Sequence, residues 1–157
     1  MAHANDNYST FFSTLTLNDI RLLKSMAERD DTFSPPAKIV TTHETSVSTK
    51  GGRNYVVRCS LGVQGTADGA EQPGLALTSN YDVTYSADGE LDERATSLLA
   101  NNALLACWPF FRLFVRSTTS EMGFAPLTLS LLKATFEPPA PAEPAKAGGR
   151  KKSPSKK

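Results

Sequence analysis

The sequence lacks the residue patterns that most enzymes and metal proteins need. It has only two histidines, and His43 stands alone in a segment with strand character. The two cysteines, Cys59 and Cys107, have neither CxxC spacing nor a histidine pair beside them, so no metal site is predicted. The glycine pair at 51–52 is not followed by a predicted helix, which argues against a phosphate loop. We therefore expect a protein that is not an enzyme and uses no cofactor or metal.

Secretion and membrane signals are also missing from the sequence. The first ten residues are polar and contain no apolar core followed by a small-residue cleavage site. No apolar run approaches the roughly 20 residues that a bilayer-spanning helix requires. We expect a cytoplasmic location without membrane insertion, and two cysteines that remain buried thiols.

The small net charge of +1 conceals an uneven distribution. Six basic residues and one acidic residue follow Pro139, so this end carries about +5 and the rest of the chain about −4. An acidic body argues against specific nucleic-acid binding, which needs clustered Lys and Arg. Composition predicts a flexible N-terminus over 1–10, one domain over 11–137, and a disordered basic tail rich in Pro, Ala and Lys over 138–157.

Four consecutive segments favour β-strands. Residues 11–29 fit neither a period of 2 nor one of 3.6, and we predict a long bent strand there, with a helix as the alternative. The double proline in 30–36 predicts a crossover loop. Residues 38–49 are rich in Thr, Val and Ile, and apolar residues alternate with more polar ones over 55–64 and 75–85. Strands that follow one another without helices between them predict an antiparallel sheet.

The periodicity changes to that of a helix near residue 92 and continues to about Met122, where Gly123 is a natural C-terminal cap. Pro109 should kink this helix. A helix of about 30 residues is about 45 Å long. It carries apolar residues on more than one face, and a single sheet can cover only one of them. The rest is expected to contact a partner subunit or a bound chain. The predicted class is α+β: a four-stranded antiparallel sheet packed with one long helix.

Two segments resemble a known family. Residues 108–112 read Trp-Pro-Phe-Phe-Arg, and residues 122–129 read Met-Gly-Phe-Ala-Pro-Leu-Thr-Leu. This combination is similar to the helix kink and the following Gly-Phe-x-Pro-Leu-x-Leu loop of the SecB-like protein-export chaperones. The strand that ends in Tyr-Asp-Val at 81–83, before Gly89, also fits. With the order of strands, the resemblance extends over roughly residues 11–132.

The resemblance implies a homotetrameric dimer of dimers, assembled through helix packing, whose apolar grooves hold unfolded polypeptides in an extended form. On this basis the predicted client-binding residues are Phe33, Trp108, Phe110, Phe111, Phe114, Phe124 and Leu127. The predicted oligomer interface consists of Leu98, Leu99, Asn102, Leu105 and Ala106.

Two features differ from the export chaperones. Prolines at 138, 139, 141 and 144 interrupt the second helix that these chaperones have after the loop. Acidic residues that would dock the SecA motor are not found in the corresponding part of the first strand, where residues 22–25 read Leu-Leu-Lys-Ser. The partner is therefore either SecA or, as in a branch of the family, the antitoxin of a toxin–antitoxin pair. A non-chaperone oligomeric adaptor is the alternative from a different class.

Overall fold

The fold is a four-stranded antiparallel sheet with one long helix packed across it. It is seen in a computed structural model that describes residues 3–132. In chain order the elements are α1 (His3–Thr14), β1 (Thr16–Arg29), β2 (Ala37–Thr49), β3 (Asn54–Ala67), β4 (Leu75–Ser86) and α2 (Glu93–Glu121). The α+β class predicted from the sequence is confirmed. The predicted tail, 138–157, lies outside the described residues.

The strand order is β1-β4-β3-β2, with every neighbouring pair antiparallel. Strands β2, β3 and β4 are joined as a meander, whereas β1 and β2 form the two opposite edges. The segment 30–36 therefore crosses from one edge of the sheet to the other, as its double proline predicts. This crossover loop carries Phe33 into the core, where only 5% of its surface is exposed.

One face of the sheet is apolar because the strands alternate. The register pairs Val57 with Val83 and Cys59 with Tyr81, and all four residues are buried. On the opposite face, Nε and Nη2 of Arg58 donate to the two carboxylate oxygens of Asp82 at 2.8 and 3.0 Å. Hydrogen bonding to Arg58 lowers the pKa of the Asp82 carboxyl below its usual value. The sheet thus has one face for a helix and one polar face.

Strand β1 explains why its sequence has no clean period. Its pairing with β4 shifts twice, between Leu17 and Asp19 and between Leu22 and Lys24. Each shift places an extra residue in the strand, and the alternation of faces restarts after it. The predicted strand is correct for residues 16–29, whereas residues 11–14 of the same predicted segment belong to helix α1.

Helix α2 begins and ends as the sequence predicts. The Oδ1 atom of the N-cap Asp92 accepts the backbone hydrogen of Ala95 at 2.7 Å. Gly123, with φ +84°, leads the chain out of the helix in a conformation that favours glycine. The helix is continuous through Pro109. By length and composition alone it could cross a membrane, but eight of its residues are buried within the chain, which is also typical of a core helix.

Helix α1 has no counterpart in the sequence prediction, which has a flexible segment over 1–10. It docks through Phe11, which is fully buried and lies 5.4 Å from the ring of Tyr55. The amide of Asn7 also bonds both main-chain groups of Glu90, at 3.0 and 3.2 Å. Because these contacts are far apart in sequence, the local pattern gives no indication of the helix.

The two cysteines lie where the helix contacts the sheet. Cys59 of β3 and Cys107 of α2 are free thiols and both are fully buried, as predicted. A hydrogen bond to Cys59, together with burial, raises the pKa of Cys107 far above its usual value. Both thiols therefore belong to the core between α2 and the sheet.

Candidate functional site

Helix α2 is buried along a row that repeats every four residues. The row consists of Ala95, Leu99, Ala103, Cys107, Phe111, Val115 and Thr119. Rows of this spacing run obliquely to a helix axis, so the contact with the sheet follows a diagonal along the helix. Trp108 is the one further buried residue of α2. Several apolar side chains elsewhere on the helix consequently have no cover.

Two of the uncovered residues of α2 are among the most exposed large apolar side chains in the described part of the chain. Phe110 is 53% exposed and Leu113 is 64% exposed. Leu105 is exposed as well, and Leu98 and Ala106 are half-buried. Isolated exposed apolar residues are common, but several on one helix are typical of a contact surface.

A second exposed apolar area lies on β1. The register places Leu17 opposite Tyr85 and Leu22 opposite Tyr81, so both leucines are on the face of the sheet that carries α2. Both are nevertheless exposed, because the helix packs mainly over the other three strands and contacts β1 least. The sheet face therefore extends beyond the helix as an open apolar surface.

After Gly123 the chain turns back along α2 as an extended segment, residues 124–132, which we call the C-terminal strap. The Nε1–H of Trp108 donates to the carbonyl oxygen of Ser130 at 2.9 Å. The Nε–H of Arg112 donates to the carbonyl oxygen of Leu129 at 2.8 Å. The backbone N–H of Leu127 donates to Oγ1 of Thr119 at 2.9 Å. Side chains of α2 thus hold the strap through its main chain.

The crossover loop and the strap meet at two aromatic rings. Phe33 and Phe124 are edge to face, with their centroids 5.5 Å apart. Phe33 fits against two glycines: a Cβ atom at Gly74 would lie 2.9 Å from its ring, and one at Gly65 would lie 3.1 Å from it. Neither glycine tolerates a side chain without displacing this ring. The pocket therefore fixes the crossover loop beside the strap.

The predicted client-binding residues fall into three groups by accessibility. Phe33, Trp108 and Phe111 are buried in the chain's own core. Phe114, Phe124 and Leu127 are half-buried, and only Phe110 is largely exposed. Trp108, Phe111 and Phe114 form one aromatic cluster, with successive centroids 5.8 and 6.3 Å apart. In this conformation only the second and third groups are accessible from solvent.

The predicted interface residues are similarly divided. Leu99 lies in the row of α2 that packs on the sheet, where it is fully buried and has no surface left for a partner. Leu98 and Ala106 are half-buried, and Leu105 is exposed. Asn102 is exposed, and its Oδ1 accepts the hydroxyl hydrogen of Tyr85 at 2.7 Å. Leu98, Asn102, Leu105 and Ala106 thus retain accessible surface.

Sequence reasoning missed the exposed leucines of β1 and Leu113 of α2. Leu113 was detectable, because it follows Leu105 and Pro109 at spacings of four, on the same side of the helix. Leu17 and Leu22 were not, because the bulges conceal which face each residue occupies. Among residues 3–132 no three His, Cys, Asp or Glu side chains are grouped as a metal site would require.

The comparisons with known proteins found similar solved structures. No protein-family model matches the sequence, and no curated protein matches it. Among solved structures, the SecB-like chaperone Rv1957 of Mycobacterium tuberculosis, solved in complex with a ChAD peptide from the antitoxin HigA1 (Rv1956), is similar over 80% of this chain and 95% of its own. The TM-score is 0.67 and the sequence identity 21%.

A protein of unknown function from Streptococcus agalactiae is similar over 74% of this chain and 97% of its own, with a TM-score of 0.44 and 6% identity.

The likeness to Rv1957 agrees with the resemblance noted at residues 108–112 and 122–129. The order of strands, the crossover loop and the long helix are those that the resemblance implies. The chain therefore has the SecB-like chaperone fold.

Proposed function

We propose that this protein is a cytoplasmic, non-enzymatic molecular chaperone that binds unfolded or aggregation-prone polypeptides and keeps them soluble for export. The proposal requires no cofactor, no metal and no insertion into a membrane. Its partners are extended segments of unfolded chains and further copies of itself.

The observation that carries the proposal is the apolar surface left open on α2 and β1. Phe110 and Leu113 on the helix, and Leu17 and Leu22 on the strand, are all exposed. Soluble proteins rarely expose large apolar patches unless these are contact sites. Large aromatic and aliphatic side chains suit a surface that accepts many sequences, because they contribute contact area with little demand for particular partners. The SecB-like fold supports the same function.

Part of this surface also suits assembly of the protein with itself. We propose a dimer of dimers formed through α2, with Leu98, Asn102, Leu105 and Ala106 as accessible contact residues. Native mass spectrometry of the full chain tests this assembly directly: a tetramer is expected. A monomer at micromolar concentration would contradict it.

Suppression of aggregation tests the chaperone function. A chemically denatured model protein is diluted into buffer with and without the full chain, in the absence of nucleotide, and light scattering is followed. The protein should suppress scattering at near-stoichiometric amounts. Phe110→Ser should weaken the suppression, because it removes an exposed aromatic ring from the proposed surface.

A matched control is provided by Phe12→Ser, which removes a ring of similar exposure, 59%, from α1. This variant should suppress scattering as well as the unaltered protein does. No suppression at molar excess would contradict the proposal. If deletion of residues 138–157 abolished all detectable binding while the body captured no client, the adaptor function would replace it.

A more specific candidate, chaperoning of an antitoxin, is favoured by one observation: the similar chaperone Rv1957 was solved with an antitoxin peptide bound. Residues 22–25 also lack the acidic side chains expected of a SecA docking site. Parallel binding assays with purified SecA and with antitoxin peptides separate the two candidates. Binding of SecA alone would support export, and binding of an antitoxin peptide alone would support the second function.

A further inference from the structure

At three points the C-terminal strap is bound through its main chain and not through its side chains. Trp108, Arg112 and Thr119 of α2 contact two carbonyl oxygens and one N–H group of the strap. These main-chain groups are common to all residues, except that proline has no N–H, so another polypeptide that takes up the conformation of the strap presents the same groups. This side of α2 is therefore a row of groups that recognise an extended main chain.

The strap's side chains add a simple apolar pattern. Leu129 is buried, with 4% of its surface exposed, Leu127 is half-buried, and the residue between them, Thr128, is exposed. Successive side chains of an extended chain point in opposite directions, so alternate residues enter the groove. A chain that occupies this groove therefore needs an apolar side chain at every second position over a short stretch. Unfolded protein segments that form strands when folded have this pattern.

Beneath the strap lies the aromatic cluster of α2. Trp108 is buried although it belongs to a different side of the helix from the row that packs on the sheet, and its indole is bonded to the strap. Its ring is in contact distance of Phe111, which in turn adjoins Phe114. Removal of the strap would thus uncover an indole together with unpaired donors on Trp108 and Arg112. Another extended chain would cover the apolar rings and replace water as the partner of these donors.

We propose that the strap is an internal ligand in a peptide-binding groove, and that an extended segment with apolar side chains at alternate positions replaces it. The inference rests on the proposed chaperone function and specifies how a client is held. Exchange leaves the hydrogen bonds of Trp108, Arg112 and Thr119 satisfied, since the incoming main chain supplies the same groups. Because the strap is covalently attached, it competes at a high effective concentration and keeps the apparent affinity for clients low.

The test uses a fluorescein-labelled peptide with the sequence of residues 124–132, and a matched peptide with serine in place of Leu129. Leu129→Ser in the full chain weakens the strap, and Leu131→Ser is the control, because Leu131 is 72% exposed. The labelled peptide should bind the Leu129→Ser protein about tenfold more tightly than the unaltered protein, in proportion to the larger open fraction. The Leu131→Ser protein should behave like the unaltered one, and the serine peptide should bind none of them.

Trp108 is the only tryptophan in the chain, so its fluorescence reports on the groove. In the Leu129→Ser protein its emission should move to longer wavelength, and addition of the peptide should reverse the shift. A second measurement on the unaltered protein guards against a variant that fails to fold. Saturating peptide should accelerate hydrogen exchange at the N–H of Leu127 while Trp108 emission stays unchanged.

Equal peptide affinity of the unaltered and the folded Leu129→Ser proteins, or unchanged exchange at Leu127 with saturating peptide, would overturn the inference. Suppression of aggregation without strap displacement would refute the groove and leave the chaperone function intact. Displacement of the strap by peptide without any suppression of aggregation would support the groove and contradict the chaperone function.

Discussion

The guanidinium of Arg29 lies 4.5 Å from the centroid of the Phe124 ring and donates from Nη1 to the carbonyl oxygen of Met122 at 2.7 Å. One side chain at the end of β1 therefore fixes both the end of α2 and the start of the strap. The interaction combines a cation–π contact with a hydrogen bond from a charged donor. Each of these contributes about 1 kcal/mol in partly exposed settings.

Replacement of Arg29 by alanine should lower the free energy of unfolding by about 1–2 kcal/mol, since both contacts are lost. Urea titration followed by far-UV circular dichroism measures the change. Arg21→Ala is the control in the same strand, because Arg21 is largely exposed and forms an exposed ion pair with Asp19. An equal effect of the two substitutions would show that Arg29 does not stabilise this corner.

Phe33 should be among the most costly residues to truncate. Phe33→Ala leaves a cavity against Gly65 and Gly74 in the core and should reduce the free energy of unfolding by about 3–5 kcal/mol. Phe12→Ala removes the same atoms from an exposed position and should change it by less than about 0.5 kcal/mol. Calorimetry of the three proteins provides the comparison. A mild effect at Phe33 would mean that the crossover loop is not anchored by its ring.

The N-cap of α2 allows a graded test. Asp92→Ala removes the oxygen that accepts the N–H of Ala95 and should reduce the free energy of unfolding by about 1 kcal/mol. Asp92→Asn keeps an acceptor in place and should have much less effect. Denaturant titration at neutral pH distinguishes the two variants. If asparagine proved as damaging as alanine, the charge of the carboxylate, and not the cap, would be the stabilising element.

Burial of the Tyr85 hydroxyl makes stability depend on pH in the alkaline range. Burial raises the pKa of Tyr85 well above its ordinary value of about 10. The unfolded chain therefore loses this proton near pH 10 while the folded chain retains it. The contribution is complete below pH 10 and declines as pH rises beyond it.

Urea titrations at intervals from pH 8 to 11 should show stability falling above about pH 10. Tyr85→Phe has no proton to lose, so its stability should fall less steeply over that interval. It should also be about 1 kcal/mol less stable at pH 8, because the hydrogen bond to Asn102 is absent. Parallel pH profiles for the two proteins would contradict a raised pKa at this residue.

The sequence predicts the elements in which all residues on one face have the same environment, either the core or solvent. β3 and β4 alternate cleanly because α2 covers one side of the sheet and the other side is polar, as Val57 and Arg58 illustrate. The ends of α2 are also local properties of Asp92 and Gly123. Such features need no knowledge of distant contacts.

The site is less predictable because neighbouring residues of the same type have opposite environments. Phe110 is exposed and Phe111 is fully buried, although both are phenylalanines in the same turn of α2. What separates them is the diagonal path of the helix over the sheet, which depends on the whole fold. Helix α1 is missed for a similar reason: its docking depends on Phe11 and Asn7 meeting residues more than 40 positions away.

The order of strands has a consequence for synthesis of the chain. β1 is made first, yet its only neighbour is β4, the last strand to be made. The meander β2-β3-β4 contains only neighbours in sequence and can pair as it leaves the ribosome. During that interval β1, with its exposed leucines, has no partner strand. A newly made chain of this fold would itself pass through a stage with an unprotected apolar segment.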